Sequence, residues 1–391
     1  MKYDFDKEIE RRGTNCEKYD NLNAVFGCCD IIPAWIADTD FATPDFIMEA
    51  VKKRAEHSVL GYSFRSESYH KSIIDFLERR SGWKVEKEWL EFSPGVVCGI
   101  SYMIQLLSEV GDNVVIQPPV YPPFARCINA NKRNIVNNPL VWNGNGYDVD
   151  FEDLDKKLEG SKLLILCSPH NPTGKVYTKE ELTKMGELCI KHGVRIVSDE
   201  IHSDIIFSGV EFSHIGAISK EIADITTTLL APSKTFNIAG LSTSVAIIPN
   251  SQTMKLYRES GDTLHVDQGN IFGAVALESA YTHGDEWLDS LLIYLEENAN
   301  FVVEYITQNM PNIGCYKPQS TFLMWLDCTK LGMSSDKLCQ FMVQKAKVGL
   351  GKGLDFGIEG EKFIRLNIGT TKKQLKTILD RMKSAYDQIE F

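Results

Sequence analysis

Several kinds of segment are missing from this sequence, and each absence narrows what the chain can be. No apolar run reaches the roughly 18 residues that a membrane-spanning helix needs. The first residues, Met1-Lys2-Tyr3-Asp4-Phe5-Asp6-Lys7, hold no apolar stretch of the signal-peptide kind, so a cytoplasmic location is expected. Positive charge is in deficit: 42 Lys and Arg stand against 53 Asp and Glu, for a formal net charge of -11. Nucleic-acid binding draws its affinity from cations on phosphate, so neither nucleic acid nor membrane is an expected partner, while a local basic pocket for a small anion stays open. Ten cysteines are present, yet none form a CxxC pair and no zinc-ligand spacing occurs. They read as reduced, mostly buried thiols. Repeats and low-complexity linkers are also lacking.

What remains is an α/β pattern. Apolar runs at Asn113–Gln117, Lys162–Cys167, Val194–Ser198, Thr226–Leu230 and Thr243–Ile248 suit strands covered on both faces of a mostly parallel sheet. Between two of them Thr178-Lys179-Glu180-Glu181 reads as a capping box. Leu182, Met185 and Cys189 then share a helix face, and Gly193 supplies the stop. After about Glu286 the texture changes. A helix from Trp287 to Gln308 leads through Pro311 to strands at Thr321–Leu326 and Phe363–Ile368, separated by a helix around Ser335–Lys347. The expectation is a large domain over residues 46–286 and a smaller α+β domain made of 1–45 and 287–391.

Four segments place polar groups just after a strand, where open α/β sheets bind ligands. Ala231-Pro232-Ser233-Lys234-Thr235 puts a lysine at a strand end, although a lone lysine is usually a solvated charge. Val197-Ser198-Asp199-Glu200-Ile201-His202 offers a carboxylate that could equally cap a helix. Cys167-Ser168-Pro169-His170-Asn171-Pro172-Thr173-Gly174 is a turn sequence containing an amide side chain. Phe92-Ser93-Pro94-Gly95-Val96-Val97 opens an apolar helix, expected to run to about Val110, whose first amides could hold a phosphate.

Taken in series, Asn-Pro-Thr-Gly, Asp-Glu and Ser-Lys-Thr resemble the fold-type I pyridoxal-phosphate (PLP) enzymes, the aspartate aminotransferase superfamily. The match spans nearly the whole chain, with 28 residues from Asn171 to Asp199 and 35 from Asp199 to Lys234. The resemblance implies a Schiff-base role for Lys234, with Asp199 against the pyridine nitrogen as electron-sink partner. It gives Asn171 to the phenolate oxygen and Ser233 with the Gly95, Val96 and Val97 amides to the phosphate. Arg365, in Phe363-Ile364-Arg365-Leu366-Asn367, would grip the substrate α-carboxylate with its planar fork.

Further stretches are similar to one branch, the bacterial cystathionine β-lyases and cysteine C–S lyases of the maltose-regulator type. They are Pro33-Ala34-Trp35-Ile36-Ala37-Asp38-Thr39-Asp40-Phe41, Gly61-Tyr62-Ser63, Pro118-Pro119-Val120-Tyr121-Pro122-Pro123-Phe124 and Pro318-Gln319-Ser320-Thr321-Phe322-Leu323-Met324-Trp325. His202 in Asp-Glu-Ile-His matches this branch, where many aminotransferases have tyrosine. Ser242, eight residues after Lys234, stands where many aminotransferases carry a phosphate-binding arginine. The likeness implies that Tyr121 stacks on the cofactor ring, and that Tyr62 reaches the phosphate and substrate from the neighbouring subunit of a homodimer. Trp35 either lines the substrate pocket or packs beneath it. The implied activity is cleavage of cystathionine, cysteine or a related S-substituted cysteine to pyruvate, ammonia and a thiol. An aminotransferase or a regulatory binding protein on the same fold are the alternatives.

Overall fold

Runs of Leu, Ile and Val with no polar face can be satisfied only by cover on both sides, and helices provide it. In the computed structural model, which describes residues 3–390, they form the centre of a seven-stranded sheet. Its order is Leu90–Ser93, Ser244–Ile247, Thr226–Leu230, Arg195–Asp199, Ser161–Cys167, Asn113–Ile116, Asn134–Asn137. Five neighbouring strands, from Thr226–Leu230 to Asn134–Asn137, pair in parallel. Ser244–Ile247 runs against both of its neighbours. The sheet is therefore mostly parallel, as expected, with one reversed strand that the apolar pattern could not orient.

The capping box is present. Thr178 Oγ1 accepts from the Glu181 amide, and Glu181 accepts from the Thr178 amide, opening the helix Lys179–His192. Gly193 ends it in the left-handed conformation (φ 67°) that glycine adopts without a Cβ clash. This helix returns the chain so that Arg195–Asp199 lies parallel to Ser161–Cys167, and both strands finish at the same edge. The apolar helix after Gly95 is shorter than expected, Val96–Leu107.

A second sheet has four strands in the order Ile32–Ala34, Val348–Lys352, Phe363–Asn367, Leu323–Asp327. Its first strand comes from the amino-terminal part and pairs in parallel with Val348–Leu350. The long helix Asp285–Asn309 packs on this sheet with the helix Lys372–Tyr386, and Phe5 and Phe41 meet Tyr294 edge to face or tilted. The expected helix near residue 335 is Ser335–Phe341, continued by a wider π turn over Met342–Ala346. Arg365 sits on a central strand between Gly351 and Trp325. There, Trp325 stacks on Phe363 and donates to Tyr147 Oη at 3.1 Å, joining this sheet to a two-stranded ribbon formed by Val141–Trp142 and Tyr147–Asp148.

The cysteines are all free, but fewer are buried than expected. Cys167, Cys189 and Cys328 are enclosed, five are half-buried, and Cys29 and Cys98 are exposed. No helix among the described residues is long and apolar enough to cross a membrane.

Candidate active site

The carboxyl ends of the parallel strands converge on a cavity of about 280 Å³. Gly95, Val96, Val97, Tyr121, Asn171, Asp199, His202, Ser233 and Lys234 line it together, so nine residues singled out from sequence meet in one place. Ala37, Cys98, Cys167, Ser242 and Thr243 also line it and were not singled out as ligands. For Ala37 a signal existed, since it lies within the Trp35–Phe41 stretch that carried the branch resemblance.

Lys234 is on a one-turn helix, Pro232–Thr235, that follows the strand Thr226–Leu230. Its Nζ donates to the Ala37 carbonyl at 2.5 Å. Burial lowers the proton affinity of the amine and Arg365 lowers it further, while Asp38 and Asp199 pull it back up. Asp199 closes the next strand and is 3% exposed. The one hydrogen bond to its carboxyl comes from the Ile201 amide at 3.1 Å, and burial pushes that carboxyl up to about 7. A buried carboxyl without a cationic contact is costly to ionise. It is suited to receive a cation.

Arg365 does not line the cavity itself but borders it through Asn171, and it presents the opposite case. Its guanidinium donates to Asn171 Oδ1 at 3.0 Å and to the Trp35 carbonyl at 2.5 Å, and lies 4.9 Å from the Phe356 ring centre. No carboxylate pairs with it among the described residues, its Nε has no partner, and burial lowers it to about 10. An enclosed guanidinium lacking a counter-anion forms a carboxylate site. Because Asn171 spends its oxygen on Arg365, its amide N–H₂ is left for the cavity.

His202 is buried, edge-on to Phe322, with Nδ1 unpartnered. Burial, then the nearby Lys234 and Arg365, push it down to about 3, so it is neutral at ordinary pH. Tyr121 also lines the cavity; burial and then Asp199 raise its phenol. Gly95 (φ 143°) precedes the helix Val96–Leu107, and Ser93 Oγ donates to the Gly95 carbonyl at 3.0 Å. The unpaired first-turn amides of that helix, with Ser233, form an anion cradle. Among the described residues Lys234 is the only lysine or arginine lining the cavity, with Ser242 where a second cation could have stood.

Two residues are not where a single-chain site would need them. Tyr62 is 97% exposed and borders a separate surface depression with Leu60, Gly61 and Gln268. Trp35 does not line the cavity. Its indole donates to the Lys18 carbonyl at 3.2 Å and meets Phe26 edge-on, so it packs beneath the site and touches Arg365 only through its carbonyl.

The family model for aminotransferase class I and II matches residues 36–382. The chain belongs to that family. Among members of the family with curated descriptions, it is 42% identical to cystathionine beta-lyase PatB of Bacillus subtilis over 97% of this chain and 99% of that protein. It is 34% identical to protein MalY of Escherichia coli, covering 96% of each. Among solved family structures, cystalysin from Treponema denticola, which contains pyridoxal 5′-phosphate, superposes with a TM-score of 0.97 at 31% identity over the full length of both chains. The PLP-bound C–S lyase from Staphylococcus hominis superposes at 0.92 with 30% identity, again over both full lengths.

Proposed function

We propose that this chain is a PLP-dependent C–S β-lyase, cleaving L-cystathionine, cysteine or a related S-substituted cysteine to pyruvate, ammonia and a thiol. The observation that carries the reading is one cavity holding an amine of lowered proton affinity and a carboxyl lacking an ion-pair partner, with a guanidinium lacking an anion behind its lining residue Asn171. These unmatched groups fit the cofactor. Asp199 would meet its ring nitrogen, the Asn171 amide its phenolate, Tyr121 its ring face, and Ser233 with the Gly95, Val96 and Val97 amides its phosphate. His202 lines the same cavity as a neutral ring.

When bound, PLP supplies an aldehyde for Lys234 and a ring that accepts the electron pair released at the substrate Cα. Arg365 takes the α-carboxylate bidentately and so fixes the direction of the Cα–H bond. The neutral Lys234 amine removes that proton, helped by the burial that disfavours its charged form. Asp199 keeps a proton on the facing nitrogen through the step. Loss of a thiolate from Cβ, as the electron pair at Cα forms the Cα–Cβ double bond, gives the lyase outcome, whereas a proton carried by Nζ to a carbon other than Cα would give the transaminase one. The likeness to PatB, cystalysin and the S. hominis enzyme, rather than a particular side chain, supports sulfur as the leaving atom.

The expected homodimer belongs to this proposal. Val59, Leu60, Tyr62, Phe64 and Leu264 are large, exposed and apolar, and Arg65 ties their two segments through the Asp267 and Gln268 carbonyls. Such a patch invites cover. A second copy there would bring its Tyr62 toward the phosphate end. The two-domain division at residues 46 and 287 and a cytoplasmic location are part of the same reading.

Incubation with L-cystathionine, without any keto acid, tests it. Pyruvate, ammonia and homocysteine should appear in equal amounts over many turnovers. Turnover that requires 2-oxoglutarate, with no pyruvate from any S-substituted cysteine, would make the chain a transaminase instead.

A further inference from the structure

The segment Trp35–Phe41 is neither helix nor sheet beyond residue 34, yet its backbone carbonyls are taken up by side chains from distant parts of the chain. The Trp35 carbonyl accepts from Arg365, Ile36 from Asn367, and Ala37 from Lys234. Asp38 accepts from Asn367 and Lys18, Thr39 from Asn237 and Arg11, and Phe41 from Asn237. Two of these donors, Lys234 and Arg365, are the cationic groups of the candidate site. This strap thus holds the site's cations by backbone oxygen atoms.

What holds the strap is a four-charge cluster on its far side. Lys18, 1% exposed, donates to Asp40 Oδ1 at 3.0 Å and lies 3.5 Å from Asp38 Oδ1. Arg11 grips both carboxylates: Nη2 meets Asp38 Oδ2 at 2.6 Å and Nη1 meets Asp40 Oδ1 at 2.7 Å. Gln374 adds a bond to Asp40 Oδ2 at 3.2 Å. Two positive and two negative charges balance in a largely enclosed space.

We infer that Arg11, Lys18, Asp38 and Asp40 form a positioning device for the reaction, fixing the strap whose carbonyls hold Lys234 and Arg365 and controlling how much of the Asp38 charge is felt at Lys234. The inference rests on the lyase reading for the reaction it serves, but not for the electrostatics. Asp38 is the largest charge acting to raise the Lys234 proton affinity against burial. The other groups facing Lys234 are Asp199, Arg365, the neutral His202 and Tyr121, with Asp204 bonded to the neighbouring Thr235 hydroxyl at 2.7 Å. Asp199, Arg365 and Asp204 have their hydrogen bonds elsewhere, and none of them is bonded to Arg11 or Lys18. Removing Lys18 would leave the Asp38 field less compensated, whereas removing the Asp38 charge would leave the cations in excess.

The test uses the holoenzyme without substrate. The pH at which the visible band of bound cofactor changes reports the proton on the Lys234 nitrogen. Lys18→Met should move that midpoint upward, by up to about one pH unit, because Lys18 offsets the Asp38 charge that acts on Lys234. Asp38→Asn should move it downward by a similar amount, and the double variant should return it near the parent value. Arg11→Met, at the more open end of the cluster, should shift it upward as well and serves if Lys18→Met does not fold. Shifts of one sign for both Lys18→Met and Asp38→Asn, or no shift in folded variants, would overturn the inference. A parent enzyme that titrates in this way but does not cleave L-cystathionine would refute the lyase reading alone.

Discussion

Two neighbouring carboxyl groups, Asp199 and Glu200, mark the difference between the cavity and the scaffold around it. Glu200 is fully buried and well partnered: it accepts from Ser198 Oγ at 2.8 Å, from the Ile215 amide at 3.3 Å, and pairs with His214 Nδ1 at 2.5 Å. Asp199, on the other face of the chain, has one backbone donor. The same contrast separates the strap cluster, where Arg11 and Lys18 match Asp38 and Asp40, from the cavity and its border, where Asp199 and Arg365 have no ion-pair partner among the described residues. Buried groups whose partners are present hold a structure together. Groups left short of partners, at substantial desolvation cost, identify where a ligand completes the balance.

Exchanging one group from each region should break the contrast in opposite ways. Asp199→Asn should lower turnover by about 10²- to 10³-fold, the usual loss when one preorganised electrostatic partner is removed, with the fold kept. The cofactor-free protein should show the converse. The Asp199 carboxyl is raised from 3.8 to about 7 in the folded state, so its contribution to stability is full below 3.8 and is lost as pH rises through 7. Asp199→Asn, which cannot ionise, should therefore melt like the parent at pH 3.5 and at a higher temperature above pH 7. Equal melting curves across that range would mean that the carboxyl is already compensated.

Asp40→Ala sharpens the other side of the comparison. Burial alone would raise this carboxyl, but Lys18 and Arg11 together hold it below its ordinary value. Its loss leaves Lys18 enclosed with the Asp38 carbonyl at 3.3 Å and the Asp38 carboxylate at 3.5 Å. Breaking such a pair by removing one partner costs about 3 kcal/mol, read as a lower midpoint in urea unfolding. A change below about 0.5 kcal/mol would show the cluster to be solvated rather than structural.

Much of the cavity was legible in the sequence because its residues sit at strand ends, where short motifs carry both turn chemistry and ligand chemistry. Asn171 follows the strand ending at Cys167, and Asp199 and Lys234 close or follow the next two. Less could be read where contacts join distant residues. The strap bonds of Arg365 and Asn367 reach back about 330 residues, and no local periodicity encodes them. Strand Ile32–Ala34 has three residues, too few for a pattern, and exists because Val348–Leu350 receives it. The direction of Ser244–Ile247 was equally hidden, since an apolar run reads the same either way. The indole of Trp35 was open between pocket and packing, and the Lys18 carbonyl, supplied by a helix 17 residues earlier, decides for packing.

The central claim is that Lys234, alone among the lysines, holds the cofactor at the end of the strand Thr226–Leu230. Borohydride reduction of the holoenzyme, digestion and peptide mass spectrometry measure this directly. The account predicts one modified peptide, with the reduced cofactor mass on Lys234 and nowhere else, and no such peptide from Lys234→Ala. A cofactor mass on another lysine, or a Lys234→Ala protein that still gives the modified peptide, would contradict it.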